Sequence, residues 1–395
     1  MSRRHSITTL LLIVASLLAL TSCRKATEKS GVRPNSLADV PAERLAYSFN
    51  ADVEAPPGSE IKEETKLKPI QDDFDNRRKD DRLLRTVVSP DGQRALALYD
   101  TGDTQEGEFR LDMYSADGTF LRNITPPELS GAFAATASWS PDGRSFAFIG
   151  RKSLAQPTPP DMIPEGKALP TPSVAPAFAP VPVFDTEQIY ISDRDGFQIR
   201  PLTTRGGLIY FYISWSPDGR AITALACRED EWDAREREHK RPAGRPRVID
   251  VDGHERLLDD GLTDAGPVWS PDASKVAAGF DADVKIYDAA TGAQPATQAV
   301  ISLREPLLAA SAAYDEKGLK NKTSEGAGGK GDGKGSGAQT AGATPVSFNP
   351  IVRLVWPDEK TLYIQTAYIR IYASEPVNTF QRWHKLNLSR QAASH

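Results

Sequence analysis

A turn sequence that recurs along the chain restricts its fold more than any other feature. "VVSPDGQRALALYD" starts at Val87, "SWSPDGRSFAFIG" at Ser138, "SWSPDGRAITALA" at Ser214, "VWSPDASKVAAGF" at Val268 and "VWPDEKTLYIQTA" at Val355. A degenerate copy, "PAERLAYSF", begins at Pro41. Successive prolines at 41, 90, 141, 217, 271 and 357 are 49, 51, 76, 54 and 86 residues apart. The two long intervals each contain a foreign tract. Residues 154–183 are rich in proline and cannot pair as central strands. Residues 317–345 are Gly, Lys, Ser and Ala in low-complexity order, with too little apolar surface to fold, and read as a flexible loop. Removing them restores a period near 50, so the repeat is a structural unit.

The unit can be read physically. Ser-Pro-Asp-Gly suits a type I turn, with Ser at the first position, Pro fixing φ at the second, Asp tolerated at the third and Gly at the fourth. A short apolar strand such as "FYISW" precedes it, and an alternating one such as "SFAFIG" follows. A second turn follows in most units: "SADGT" at 115–119, "DRDGF" at 193–197, "DVDGH" at 250–254 and "AATGA" at 289–293. Two hairpins make four antiparallel strands. Such a sheet cannot bury both faces alone, and several packed face to face around an axis can. The expected fold is therefore all-β, a β-propeller of four-stranded antiparallel blades. Six blades are favoured over five if the copy at Pro41 counts as one. Trp139, Trp215 and Trp269 should fill the space between neighbouring sheets, each with an N–H needing a partner. Val88 replaces Trp in the first clear copy, and in the last Trp356 stands directly before the Pro with the Ser missing.

The pattern WSPDGR followed by an apolar strand, then an Asp-Gly turn and "LT", resembles the Pro-Asp propeller repeat of the TolB family. The same repeat occurs in the non-catalytic domains of prolyl oligopeptidase-type peptidases. The resemblance covers roughly residues 84–390 and implies a ring closed by pairing of the amino- and carboxy-terminal strands. TolB carries a complete α/β domain before its propeller. Here only about 60 residues separate Cys23 from the first clear repeat, so the chain is at most TolB-like.

The first 23 residues read as an export signal: Arg3 and Arg4, an apolar stretch over 10–20, then small residues before Cys23. "LTSC", residues 20–23, resembles the bacterial lipobox, which implies diacylation of Cys23. The apolar run is shorter than the ~20 residues a spanning helix needs. Arg24 follows where an Asp would resemble an inner-membrane retention signal, so the resemblance implies an outer-membrane lipoprotein facing the periplasm. Cys23 and Cys227 are the only cysteines, so lipidation would leave no intramolecular disulfide, and Cys227 in "AITALAC" reads as a buried thiol. The expected organisation is a signal at 1–23, a flexible tether at 24–40, an N-terminal segment at 41–83 and the propeller at 84–390.

No catalytic motif is found. A G-x-S-x-G elbow is absent, the five histidines show no ligand spacing, and "GGKGDGKG" at 328–335 lacks the Ser or Thr of a P-loop. Paired aspartates at 193/195, 250/252 and 281/283 sit where hairpin turns want Asp-Gly, and the Asp of each Pro-Asp should bond its own turn. No cofactor or metal site is expected. The net charge of −5 without a basic face argues against nucleic acid. The remaining oddity is "REDEWDAREREHKR" at 228–241, which should form a short solvent-facing helix anchored by Trp232. With the Pro-rich loop it is a candidate partner surface, through Trp232, Arg235, Arg237 and His239. The expected function is thus an envelope-anchored scaffold binding a protein or polymer. The alternative is a propeller enzyme or a carbohydrate- or small-ligand-binding protein, which would need polar groups converging on the central channel.

Overall fold

The computed structural model describes residues 36–60, 66–101, 107–154, 180–290, 298–325, 346–372 and 375–389. The chain is mostly β, and four-stranded antiparallel sheets follow the repeat. The first comprises Arg82–Val88, Arg94–Asp100, Glu108–Ser115 and Phe120–Asn123. The second comprises Ser138–Trp139, Ser145–Lys152, Gln188–Asp193 and Arg200–Pro201, and a short strand, Leu129–Ala132, joins it to the first. The third holds Leu208–Trp215, Ala221–Arg228, Arg245–Asp250 and Glu255–Leu257; the fourth holds Val268–Trp269, Lys275–Phe280, Asp283–Asp288 and Gln298–Ser302. The fifth is built from both ends of the chain: Ile351–Asp358, Thr361–Tyr372 and Glu375–Ser389 are completed by Ala46–Val53, which pairs with the last strand from Ala46↔Ser389 to Val53↔Trp383. The pairing of amino- and carboxy-terminal strands that the family resemblance implies is therefore present within the fifth sheet.

The described residues of the segment at 41–83 form no sheet of their own. After one turn of 3-10 helix they contribute the strand Ala46–Val53 and then helix α1, Lys68–Arg77. Pro69 in its first turn costs no hydrogen bond there, and Ile70 and Phe74, four apart, face one side. Residues 36–40, expected as the end of a tether, are packed instead. Leu37 and Val40 are buried against the fourth and fifth sheets, because two apolar residues three apart on a 3-10 turn point into the same core.

Consecutive sheets share apolar cores. Leu96, Leu98 and Met113 of the first meet Trp139, Phe146 and Tyr190 of the second, whose other face brings Ile149 and Ile191 to Tyr210 and Ile222 of the third. Val248 then meets Trp269, Val276 and Tyr287 of the fourth, and Val284 and Ile286 meet Leu354, Ile364 and Leu386 of the fifth. The second face of the first sheet differs. Leu83, Ala97, Tyr99 and Tyr114 are covered by Ile70 and Phe74 of α1. Arg78, just after the helix, forks onto the buried Asp112 at 3.0 and 3.2 Å, while Arg77 lies 3.5 Å over the Phe120 ring. The helix thus occupies the face that in an unbroken ring would meet the last sheet.

The tryptophans do what their N–H groups require. Nε1 of Trp139 donates to the Val87 carbonyl (2.9 Å), that of Trp215 to Ser138 (3.3 Å) and that of Trp269 to Ser214 (3.1 Å). Each indole bonds the backbone one residue before the corresponding position of the preceding sheet. Trp356, in the altered copy, is buried, and its Nε1 has no hydrogen-bond partner among the described residues. Val88 stands at the corresponding position of the first sheet, so the series of indoles stops where α1 intervenes.

Candidate partner surface at the insert rim

Antiparallel order assigns every connection to one of two rims. Turns between first and second strands, and between third and fourth, lie on one, the turn rim. Connections between second and third strands, and between sheets, lie on the other. Residues 154–183 follow the second strand of the second sheet, 228–241 the second strand of the third, and 317–345 precede the first strand of the fifth. All three tracts that break the repeat therefore leave from the same rim. The chain's described start lies on the opposite one, where Ser36 Oγ and the Ala38 N–H donate to Asp272 Oδ2 at 2.7 and 3.1 Å.

The turn rim is built from four copies of one hydrogen-bonded unit. Ser89, Ser140, Ser216 and Ser270 each donate Oγ–H to the Asp two residues on at 2.6 Å. Each hydroxyl oxygen in turn accepts the N–H five residues on, at 2.9 to 3.0 Å. The Asp of each motif bonds its own turn, as the residue types imply. The fourth position needs a left-handed backbone. Gly supplies φ of +69°, +68° and +70° in the first three copies, while Ala273 is held at +58° in the fourth.

On the insert rim, 229–237 form helix α2, Glu229–Arg237. The Arg228 N–H donates to Glu231 Oε2 (3.0 Å), satisfying the helix start, and Arg245 forks onto both Glu231 oxygens at 2.7 and 2.8 Å. Hydrogen bonds from Arg245 hold the Glu231 carboxyl down at about 2. Trp232 is half-buried between Phe133 and Phe211, 5.7 Å from each ring. It is the helix's anchor on the second and third sheets. Phe133 itself sits at φ +57° in the connection between sheets, so no periodicity announced it.

The other candidate residues are placed differently from one another. Arg235 donates Nε–H to the Arg241 carbonyl (2.6 Å) and, with Trp232, Glu236, Lys240 and Pro242, lines a small pocket of 190 Å³. Arg237 donates to the Asp233 carbonyl (3.2 Å), and His239 is exposed at φ +52° just past the helix end. The basic groups follow the acidic first turn, as the helix dipole favours. Cys23 lies outside the described residues, as do 155–179 of the Pro-rich tract.

The third tract is not wholly a loop. Helix α3, Arg304–Glu325, runs into it, so residues 317–325 are helical where a flexible loop was expected. The helix continues because an Ala- and Leu-rich start with no glycine before Gly318 carries strong helix propensity into the tract. The fifth sheet's hairpin, Thr361–Tyr372 and Glu375–Ser389, extends past its neighbour toward the same rim, and Val346–Phe348 pairs along its far half. Tyr314 of α3 packs on Tyr368 and Phe380 there.

Below this hairpin lies a buried polar group that sequence reasoning missed. Arg382 forks onto Asp52 at 2.7 Å twice, and also donates to Ser311 Oγ (3.0 Å) and the Ala310 carbonyl (3.2 Å). His384 accepts the Asp52 N–H at Nδ1 (3.3 Å) and meets Thr366 Oγ1 at Nε2 (2.9 Å). Burial, with Arg382 nearby, pushes its imidazole down to about 4, so it is neutral at pH 7. These groups join the first described strand, the last strand and α3. Both histidine nitrogens are occupied, which suits a structural tie rather than a general base.

Four-stranded antiparallel sheets packed face to face in series define the architecture of a β-propeller. No protein-family model matches the chain, and no curated protein matches it. Similar solved structures include a putative TolB from Agrobacterium tumefaciens, 14% identical, TM-score 0.31, covering 78% of this chain and 89% of that one. An oligogalacturonate lyase in complex with manganese is 10% identical, TM-score 0.40, with 86% and 73% covered. A nidogen/laminin complex gives 11%, TM-score 0.33, with 77% and 83% covered.

Proposed function

We propose that this chain is a lipid-anchored scaffold of the cell envelope, attached through Cys23 to the outer membrane on its periplasmic side, whose insert rim binds a protein or an envelope polymer. The observation that carries this reading is strand order. Three unrelated insertions, two within sheets and one between the fourth and fifth, leave from one rim, and the amino-terminal segment docks on the other. Loops on a rigid scaffold commonly carry recognition, and insertions gathered on one face commonly mark the binding side of a repeat protein. Thirteen residues from Cys23 to Ser36 reach at most about 45 Å, so a lipid at Cys23 would tether the protein from its turn-rim side. Helix α2 supports the same reading: Trp232 and Glu231 fix it to the sheets, so Arg235, Arg237 and His239 are presented from a rigid base.

The test combines two arms. Cys23→Ala should abolish acyl labelling and release the protein from membranes. Separately, a photo-crosslinking residue at position 237 should capture a defined species from the native envelope, and Arg235→Glu with Lys240→Glu should reduce that capture several-fold without altering thermal stability. Capture unchanged by the charge reversals counts against the surface, and unchanged membrane retention of Cys23→Ala against the anchor.

A further inference from the structure

A groove of about 680 Å³ opens on the turn rim between the third and fourth sheets, under residues 38–41. It is lined by charged groups whose counterparts between the first and second sheets are paired across the interface. Between the first and second sheets, Arg194 of the 193–197 turn reaches Asp91 and also Gln93 Oε1 (2.9 Å), while Arg94 reaches Asp195 (3.3 Å). Counted from the strand-ending aspartates Asp193 and Asp288, the corresponding residues of the fourth sheet are Ala289 and Ala290. Neither can pair. Asp218 therefore uses Oδ1 for its own turn and leaves Oδ2 open, and Arg220 is exposed with no side-chain partner among the described residues. Asp250, across the groove's edge, likewise makes no side-chain hydrogen bond or ion pair among them. The remaining charged lining is engaged, Lys275 with Asp288 at 2.6 Å and Asp39 with the Ser36 N–H at 3.1 Å, and Ala221, Ala273 and Ala289 lie beside Trp269.

We infer that this groove binds a short zwitterionic peptide with small side chains. A ligand carrying one ammonium and one carboxylate matches the carboxylates of Asp218 and Asp250 and the guanidinium of Arg220, none of which makes a side-chain ion pair among the described residues. A lone anion would face the carboxylates, and a lone cation would leave Arg220 unmet. The volume is that of about twenty waters, which exceeds a single small amino acid and suits three or four residues in extended form. The three alanines beside Trp269 offer contact to small, methyl-sized side chains. The site is on the turn rim, so it stands or falls separately from the insert-rim reading.

The probe is tri-alanine, titrated calorimetrically into the full-length protein in detergent, with the same peptide acetylated and amidated as the control. Tri-alanine should bind saturably and the blocked peptide about 10-fold or more weaker, the loss expected for a charge-assisted hydrogen bond. Arg220→Gln, and Asp218→Asn with Asp250→Asn, should each weaken tri-alanine by a similar factor. Ala289→Arg with Ala290→Asp, which copies the second sheet's paired residues, should abolish binding while leaving the melting temperature unchanged or higher. Absence of saturable binding, equal binding of the blocked peptide, or undiminished binding to the Ala289→Arg/Ala290→Asp variant would overturn the assignment.

Discussion

Ala273 shows how finely the repeat is written. Its three counterparts are glycines at nearly the same φ, and the serine, aspartate and backbone hydrogen bonds of its turn hold it at +58° all the same. A left-handed conformation costs a residue with a Cβ roughly 1–2 kcal/mol. Ala273→Gly relieves that strain, and gives back part of it by loosening the unfolded chain. The expected outcome is a net stabilisation of about 0.5–1 kcal/mol, read as a melting temperature higher by one to a few degrees. The converse, Gly143→Ala, should lower it. At this scale the sequence was legible: each Ser-Pro-Asp-Gly folds on bonds made within six residues, so local residue types suffice.

The sheet-to-sheet contacts belong to the next scale, and the indoles carry a share of them beyond their area. Trp215 fills the second interface and donates to the Ser138 carbonyl. Trp215→Phe keeps much of the apolar contact, opens some space and leaves that carbonyl without its indole. A cost of about 1–3 kcal/mol is expected from the lost hydrogen bond and the unfilled volume. Trp356→Phe removes a buried N–H that has no acceptor among the described residues, so its cost should be smaller. Paired chemical denaturation of the two variants checks the difference, and an equal loss in both would show that packing alone sets the value. The tryptophan positions were readable from the repeat, but their acceptors were not, because each lies on a different sheet. Helix α2 tells a similar story. Its charge pattern and Trp232 could be read from 228–241, whereas Phe133, Phe211 and Arg245, which hold it down, come from separate strands and connections.

Across the whole molecule, the tie between the chain's two ends governs how it responds to acid. His384 is buried and neutral, with its imidazole down at about 4 against about 6.5 in an unfolded chain. A depressed base is protonated first in the unfolded state, so the stability it contributes is complete above about pH 6.5 and drains away as pH falls toward 4. The full difference corresponds to about 3 kcal/mol. The slope of unfolding free energy between pH 7 and 4 should therefore flatten in His384→Asn, and an unchanged slope would remove His384 from the account. Loss of this tie should first free Ala46–Val53, since Asp52 bonds both Arg382 and His384.

What the sequence alone determined is the unit: a four-stranded sheet, its turns, its period and the places where the period breaks. Those follow from short-range causes, proline and glycine dihedrals, side-chain-to-backbone bonds and strand alternation. Tertiary structure alone decided how the series ends. The copy at Pro41 has the pattern of a blade but supplies one strand to the last sheet, and α1 covers the first sheet where another blade was expected. The physical reason is competition for an apolar face. Ile70 and Phe74 bury the first sheet's free side, while Leu37 and Val40 are buried against the fourth and fifth sheets and Ala46–Val53 takes up the last strand's free edge. Which rim carries the insertions and which charges stay unpaired on the other were likewise set by strand order, a property of the assembled chain.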